Sequence, residues 1–125
     1  SVKNIKRNNK KILFLIWHDP IMSVGKNTFI NDIIENTGYI NITKNINSGY
    51  FKVNTEFLIK NNPDILLIPS SHFEKVNFSK SPWKYLNAVK NNKVYKIDDD
   101  IFFRPSPRVL EAINYIKNIN IKSIN

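Results

Sequence analysis

The sequence predicts an α/β fold: a three-layer α/β/α sandwich around a mainly parallel sheet. Three observations predict it. Ile12–Trp17 (Ile-Leu-Phe-Leu-Ile-Trp) and Ile65–Ile68 (Ile-Leu-Leu-Ile) are short, unbroken apolar runs, the pattern of strands buried on both faces. The segments between them place apolar residues at helical spacing or carry helix caps. The resulting order β-α-β-α-β-α-β-α calls for crossover connections, and these make neighbouring strands parallel. With 125 residues, 42% of them hydrophobic and 12% aromatic, the chain holds one core.

Residues 1–10 are polar and basic and read as a linker or a helix end before the first strand, Ile12–Trp17. His18-Asp19-Pro20 stops that strand, and a loop is expected through Gly25. Phe29, Ile30, Ile33 and Ile34 recur at helical spacing and Gly38 stands where a C-terminal cap belongs, so a helix is expected over Lys26–Thr37. Tyr39–Ile42 reads as a brief strand and Asn45–Lys52 as a polar loop carrying Tyr50 and Phe51. Asn54 or Thr55 caps a short helix reaching Asn61, with Glu56 in its first turn where negative charge suits the helix dipole. Asn62-Pro63-Asp64 ends it, Ile65–Ile68 is the third strand, and Pro69-Ser70-Ser71 closes that strand in a loop. Ser81-Pro82 opens a helix carrying Trp83, Leu86 and Val89, followed by the strand Lys93–Ile97. After an irregular stretch over Asp98–Ser106, Ser106 and Pro107 start a last helix with Val109, Leu110, Ile113 and Ile116 as its apolar stripe.

The net charge of +9 invites a nucleic-acid reading, but the lysines are scattered among asparagines, with no arginine-rich stripe or aromatic-interleaved basic helix. No nucleic-acid partner is expected. The chain has no cysteine, so disulfides, thiolate metal sites and cysteine nucleophiles are excluded. No apolar stretch approaches the ~20 residues of a membrane span. No signal peptide is visible, and the start at Ser1 without Met reads as a trimmed or partial chain. Three glycines supply neither a G-x-G-x-x-G turn nor a Walker loop, and no serine-hydrolase elbow is present.

In open α/β sheets ligands bind beyond the carboxyl ends of the strands. Here those segments are His18–Gly25, Ile46–Phe51, Pro69–Phe73 and Asp98–Arg104. They are expected to form a rim containing Met22, Tyr50, Phe51, Phe73, Phe102 and Phe103, suited to a large, partly apolar ligand. The competing expectation is that about half of these aromatics pack the edge of the core. A second reading, a metal-handling or enzymatic α/β domain, takes His18, Asp19, His72 and Asp99 as its site. No helical ligand spacing and no nucleophile support it, and Asp98-Asp99-Asp100 reads as a solvated turn.

Four stretches carry a family resemblance. Pro20–Ile34 (PIMSVGKNTFINDII) is similar to a strand-loop-helix pattern P-x-x-x-x-G-K-x-S/T-F. Gly38–Ile42 (GYINI) is similar to a Gly-Gly-x-Asn turn. Val53–Ile68 carries the glutamate and the Pro-Asp of a third pattern, and Ser81–Leu110 joins SPWKYLNAVKNNKVYKID to FFRPSPRVL. In this order and spacing the chain resembles the C-terminal lobe of class III periplasmic binding proteins, those for vitamin B12, ferric siderophores and haem. Tyr39 replaces the second glycine of the family pair, and Ser106 replaces the glycine of its R-P-G-P-R turn.

The resemblance implies one lobe of a bilobed substrate-binding protein of an ABC importer, not an enzyme and without a catalytic cofactor. Its ligand would be cobalamin or an iron complex, a ferric siderophore or haem. Residues 1–11 would end an inter-lobe helix or linker, and residues 12–125 would form the ligand-binding lobe. From the strand-end rule the expected ligand contacts are His18, Asp19, Met22, Tyr50, Phe51, Ser70, Ser71, Asp99, Phe102 and Arg104, with no metal site of the protein's own. Tyr50 matches an aromatic contact six residues before the family's permease-docking glutamate, which here is Glu56. The implied location is extracytoplasmic, in the periplasm or at the cell surface through a lipid anchor outside this sequence. A regulatory domain reusing the same lobe is the remaining alternative.

Overall fold

The computed structural model describes residues 10–99 together with Glu111 and Asn114. Three parallel strands form the centre of the sheet: β1 (Lys11–His18), β5 (Ile65–Pro69) and β6 (Val94–Ile97). Ile12, Leu13 and Phe14 stand opposite Ile65, Leu66 and Leu67, and Leu66–Pro69 pair in register with Val94–Ile97. The two-residue strand β3 (Ile40–Asn41) lies parallel to the start of β1, on the edge away from β5.

The alternation along β1 makes the layers. Ile12 and Phe14 enter one cluster with Ile30, Ile33 and Ile34 of α1 (Phe29–Glu35) and with Tyr39. Leu13 and Leu15 enter the other, with Leu58 of α2 (Thr55–Asn61), Trp83, Leu86 and Ala88. Both faces are therefore dry, which is why the run carries no polar residue at alternate positions. The first face is covered by α1. The second is covered by α2, a 3-10 turn at Trp83–Tyr85 and α4 (Asn87–Lys90).

Local chemistry sets the helix ends. Thr28 caps α1, its hydroxyl accepting from Asn31 N at 3.2 Å, and Gly38 leaves the helix at φ 89°. Asn54 caps α2, accepting from Phe57 N at 2.7 Å, and Asn62 ends it in the left-handed region at φ 40°. α1 is shorter than the expected Lys26–Thr37, because Lys26 N is spent on the Ile46 carbonyl at 3.0 Å and Thr28 takes the cap.

Two expected loops are strands. β2 (Ile21–Val24) returns antiparallel along β1, and β4 (Tyr50–Lys52) pairs antiparallel with β2. The sheet is therefore mixed, in the order β4-β2-β1-β5-β6. Four residues between Pro20 and Gly25 are too few to show a period, and the free edge of β1 decides their pairing. The expected loop at Pro69-Ser70-Ser71 is a helical turn, α3 (Ser70–Phe73), whose amides follow directly on β5. The expected helix at Ser81 splits at Leu86, whose extended backbone separates the 3-10 turn from α4. The helix expected from Ser106 lies outside the described residues, save that Glu111 and Asn114 are helical.

Candidate functional site

The site is built where β1 runs out. Leu15 stands opposite Ser23 but Trp17 opposite Met22, so Ile16 is an extra residue and β1 bulges there. A bulge re-aims the side chains that follow it. Trp17 is 49% exposed, and its Nε1 donates to the Asp19 carbonyl at 3.1 Å, which fixes the indole above the turn. Its ring packs at 4.4 Å, centroid to centroid, on that of His72. Tyr50, at the head of β4 and 55% exposed, completes the wall.

These rings line a hollow of about 450 Å³ with Ile16, Pro69, Ser71 and Asp99. Exposed aromatic groups gathered at one place on a surface usually await a ligand or a partner. Asp99 Oδ1 accepts from Ser71 N at 3.3 Å, joining the ends of β5 and β6 across the rim. Ser70 is exposed but lines neither this hollow nor the next; its Oγ donates to the Ile97 carbonyl at 3.0 Å.

A second hollow, of about 550 Å³, lies beside the first. His18, Asp19 and Pro20 form one wall, Lys52 to Thr55 another, and the segment from Lys75 to Trp83 closes it. The two hollows meet at a histidine pair: His18 lines the second, His72 lines the first, and their Nδ1 atoms are 2.8 Å apart. That distance requires one Nδ1 to donate and the other to accept, so both rings cannot be Nδ1-protonated without losing the bond.

His72 is 8% exposed. Burial pushes its pKa below the ordinary imidazole value of 6.5; the charges of His18 and Lys75 act in the same direction and Asp99 opposes them. The folded protein therefore takes up this proton less readily than the unfolded chain. His72's contribution is fully present above pH 6.5 and is lost as pH falls below that value toward the lowered folded-state pKa. Urea midpoints measured from about pH 8 to about pH 5 are expected to fall, and His72→Phe, which keeps a ring against Trp17 but cannot titrate, should flatten the decline. An unchanged slope in that variant would show that His72 is not the group responsible.

The expected site residues are distributed as follows. Tyr50, Ser71 and Asp99 line the aromatic hollow, and His18 and Asp19 the adjacent one. Phe51 packs against the Leu13–Leu15 cluster, as does Phe73. Met22 is half-buried on β2 and lines neither hollow. Phe102 and Arg104 lie outside the described residues. Glu56 is exposed in the first turn of α2, next to Asn54 and Thr55 of the second hollow.

Trp17 was not among the expected contacts, and His72 only in the metal-handling alternative. A tryptophan at the carboxyl end of an apolar strand, just before its polar stop at His18-Asp19-Pro20, was the available signal for the first. The four residues of that alternative are neighbours but do not converge as a ligand set. The histidines face each other and Asp99 faces the Ser71 amide; among the described residues no three His, Asp or Glu side chains form a metal-binding group.

Comparison with known proteins places this geometry. The sequence profile of the periplasmic binding protein family matches residues 1–101, so the chain belongs to that family. It is 29% identical over 115 residues to the ABC transporter substrate-binding lipoprotein YvrC of Bacillus subtilis, covering 90% of this chain and 36% of that protein. It is 36% identical over 102 residues to the high-affinity heme uptake system protein IsdE of Staphylococcus aureus, covering 75% and 35%. Among solved structures, the vitamin B12 binding protein BtuF of Vibrio cholerae shares the fold at a TM-score of 0.82 and 18% identity, covering 96% of this chain and 48% of that one. An ABC transporter substrate-binding protein of Listeria monocytogenes superposes at 0.80 with 27% identity, covering 91% and 48%. The chain thus spans about a third of the curated relatives and about half of the solved chains. Its fold is that of one lobe of a bilobed periplasmic binding protein. Among the described residues no helix is long and apolar enough to cross a membrane.

Proposed function

We infer that this chain is the C-terminal lobe of an ABC importer's substrate-binding protein, which captures a metal complex between two lobes and delivers it to the permease. The carrying observation is the exposed hollow of Trp17, Tyr50 and His72 at the carboxyl ends of the parallel strands, in a chain of this family. Haem, named in the description of IsdE, and cobalamin, named in that of BtuF, are ligands of the right kind, as are ferric siderophores. All are large and partly apolar, and a second lobe closing over them would bury what one lobe leaves wet. The work is capture and release, with no bond chemistry, outside the cytoplasm and next to the membrane. Titrating the full-length protein with haemin, cobalamin and a ferric siderophore, followed by isothermal calorimetry, should give saturable binding of at least one of them, weakened by Trp17→Phe combined with Tyr50→Ala. No saturable binding to any of the three would overturn the reading.

Delivery requires docking, and Glu56 is the residue assigned to it, exposed on α2 beside the rim. A purely local role for a first-turn glutamate is worth only ~0.3–1 kcal/mol. Glu56→Ala is expected to leave ligand affinity unchanged while lowering uptake severalfold, and Glu56→Arg to lower it further by placing like charges at the interface. Normal uptake by both variants, with only the small loss of stability, would reduce Glu56 to a helix-start residue.

A further inference from the structure

The second hollow has a charge that capture of a flat ring system does not use. Lys52 on β4 lines it from one side, and Lys75 and Lys80, both in the segment between α3 and the 3-10 turn, line it from another, against the single carboxylate of Asp19. Among the described residues, no carboxylate lies within ion-pair distance of any of the three lysines. Three ammonium groups around one hollow repel one another and concentrate anions between them. Asn54, Thr55 and Asn77 add side chains that can donate hydrogen bonds to an anion, beside an apolar part of the lining formed by Pro20, Ile21, Val53, Val76, Pro82 and Trp83. The hollow adjoins the aromatic one at the His18–His72 pair, of which His18 lines the one and His72 the other.

We propose that the Lys52–Lys75–Lys80 hollow is the subsite for the anionic arms of the ligand, so that this receptor selects negatively charged metal complexes over neutral ones. The inference rests on the reading of the chain as a receptor and sharpens its substrate class. The ring system or metal core lies over Trp17, Tyr50 and His72, and its acidic arms, carboxylates or catecholate oxygens, reach past His18 to the lysines. A neutral corrinoid or trihydroxamate complex would leave the three charges uncompensated on lobe closure, where exclusion of water makes that costly.

The test uses the full-length protein and matched probes: haemin against its dimethyl ester, and a ferric tricatecholate against a ferric trihydroxamate and cobalamin. A charged probe is expected to bind at least about tenfold more tightly than its neutral counterpart, with an affinity that falls as NaCl is raised from about 50 to about 500 mM. The combined substitution Lys52→Gln, Lys75→Gln and Lys80→Gln should remove that preference and the salt dependence, and the corresponding three arginine substitutions should retain both. All three positions are exposed, so folding is expected to survive, and circular dichroism checks it. Saturable binding of a neutral probe equal to or tighter than that of the charged ones, or a glutamine variant that keeps the preference, would overturn the anionic-arm subsite while leaving the receptor reading in place. Failure of every probe to bind would overturn the receptor reading and the subsite together.

Discussion

Replacing Asn41 by alanine is expected to destabilise the fold by roughly 2–6 kcal/mol, through two buried groups left without partners at about 1–3 kcal/mol each. Asn41 is fully buried. Its Nδ2 donates to Asn31 Oδ1 of α1 at 2.8 Å, and its Oδ1 accepts from Thr43 N at 3.3 Å. The Thr43 hydroxyl reaches both this oxygen and the Val24 carbonyl of β2. One side chain thus ties α1, β3 and β2 together in a region sealed from water, where no solvent can replace a lost partner. Alanine leaves the buried Asn31 oxygen and the Thr43 N–H unmatched. Urea unfolding measures the loss, and a change below about 1 kcal/mol would mean that the region relaxes enough to admit water. The asparagine of the family's Gly-Gly-x-Asn pattern is, on this account, a residue of the core.

Gly25→Ala is expected to cost about 1–3 kcal/mol by overpacking and to weaken ligand binding along with it. A Cβ on Gly25 would overlap the backbone oxygen of Ser48 and stand 2.6 Å from that of Ile46. Neither is the end of a side chain that can swing away. Gly25 N also donates to the Gly49 carbonyl at 2.7 Å, and Lys26 N to that of Ile46 at 3.0 Å. The close approach clamps residues 46–49 against the end of β2, and Tyr50 follows immediately, at the mouth of the aromatic hollow. Pushing this loop outward moves a wall of the site. Gly49→Ala is the control, because nothing lies within 4 Å of a Cβ placed there. A Gly25→Ala variant as stable as the parent would show that the loop is loosely held.

Much of the framework could be read before any coordinates. The runs Ile12–Trp17 and Ile65–Ile68 announced strands buried on both faces, and the start of α2 was marked by two candidate caps, Asn54 and Thr55, of which the structure uses Asn54. Such signals are local: burial, caps and turns are written in residues adjacent along the chain. The two antiparallel strands were not visible in that way. Ile21–Val24 and Tyr50–Lys52 are too short to display a period; the first pairs with the open edge at the bulged end of β1, and the second with the edge that the first then offers.

The site divides along the same line. By itself the sequence determined the α/β class, the strand ends at which a ligand face would form, and the resemblance that makes this chain one lobe of a binding protein. Tertiary structure alone decided which side chains form that face. It turned Phe51 into the core and left Tyr50 outside, it brought His18 within 2.8 Å of His72 across 54 residues, and it collected Lys52, Lys75 and Lys80 around one hollow. The physical reason is distance along the chain. Hydrophobic periodicity and capping act over a turn or a strand, whereas a hollow is enclosed by residues that meet only after the sheet has ordered its strands and the core has fixed which way each side chain points.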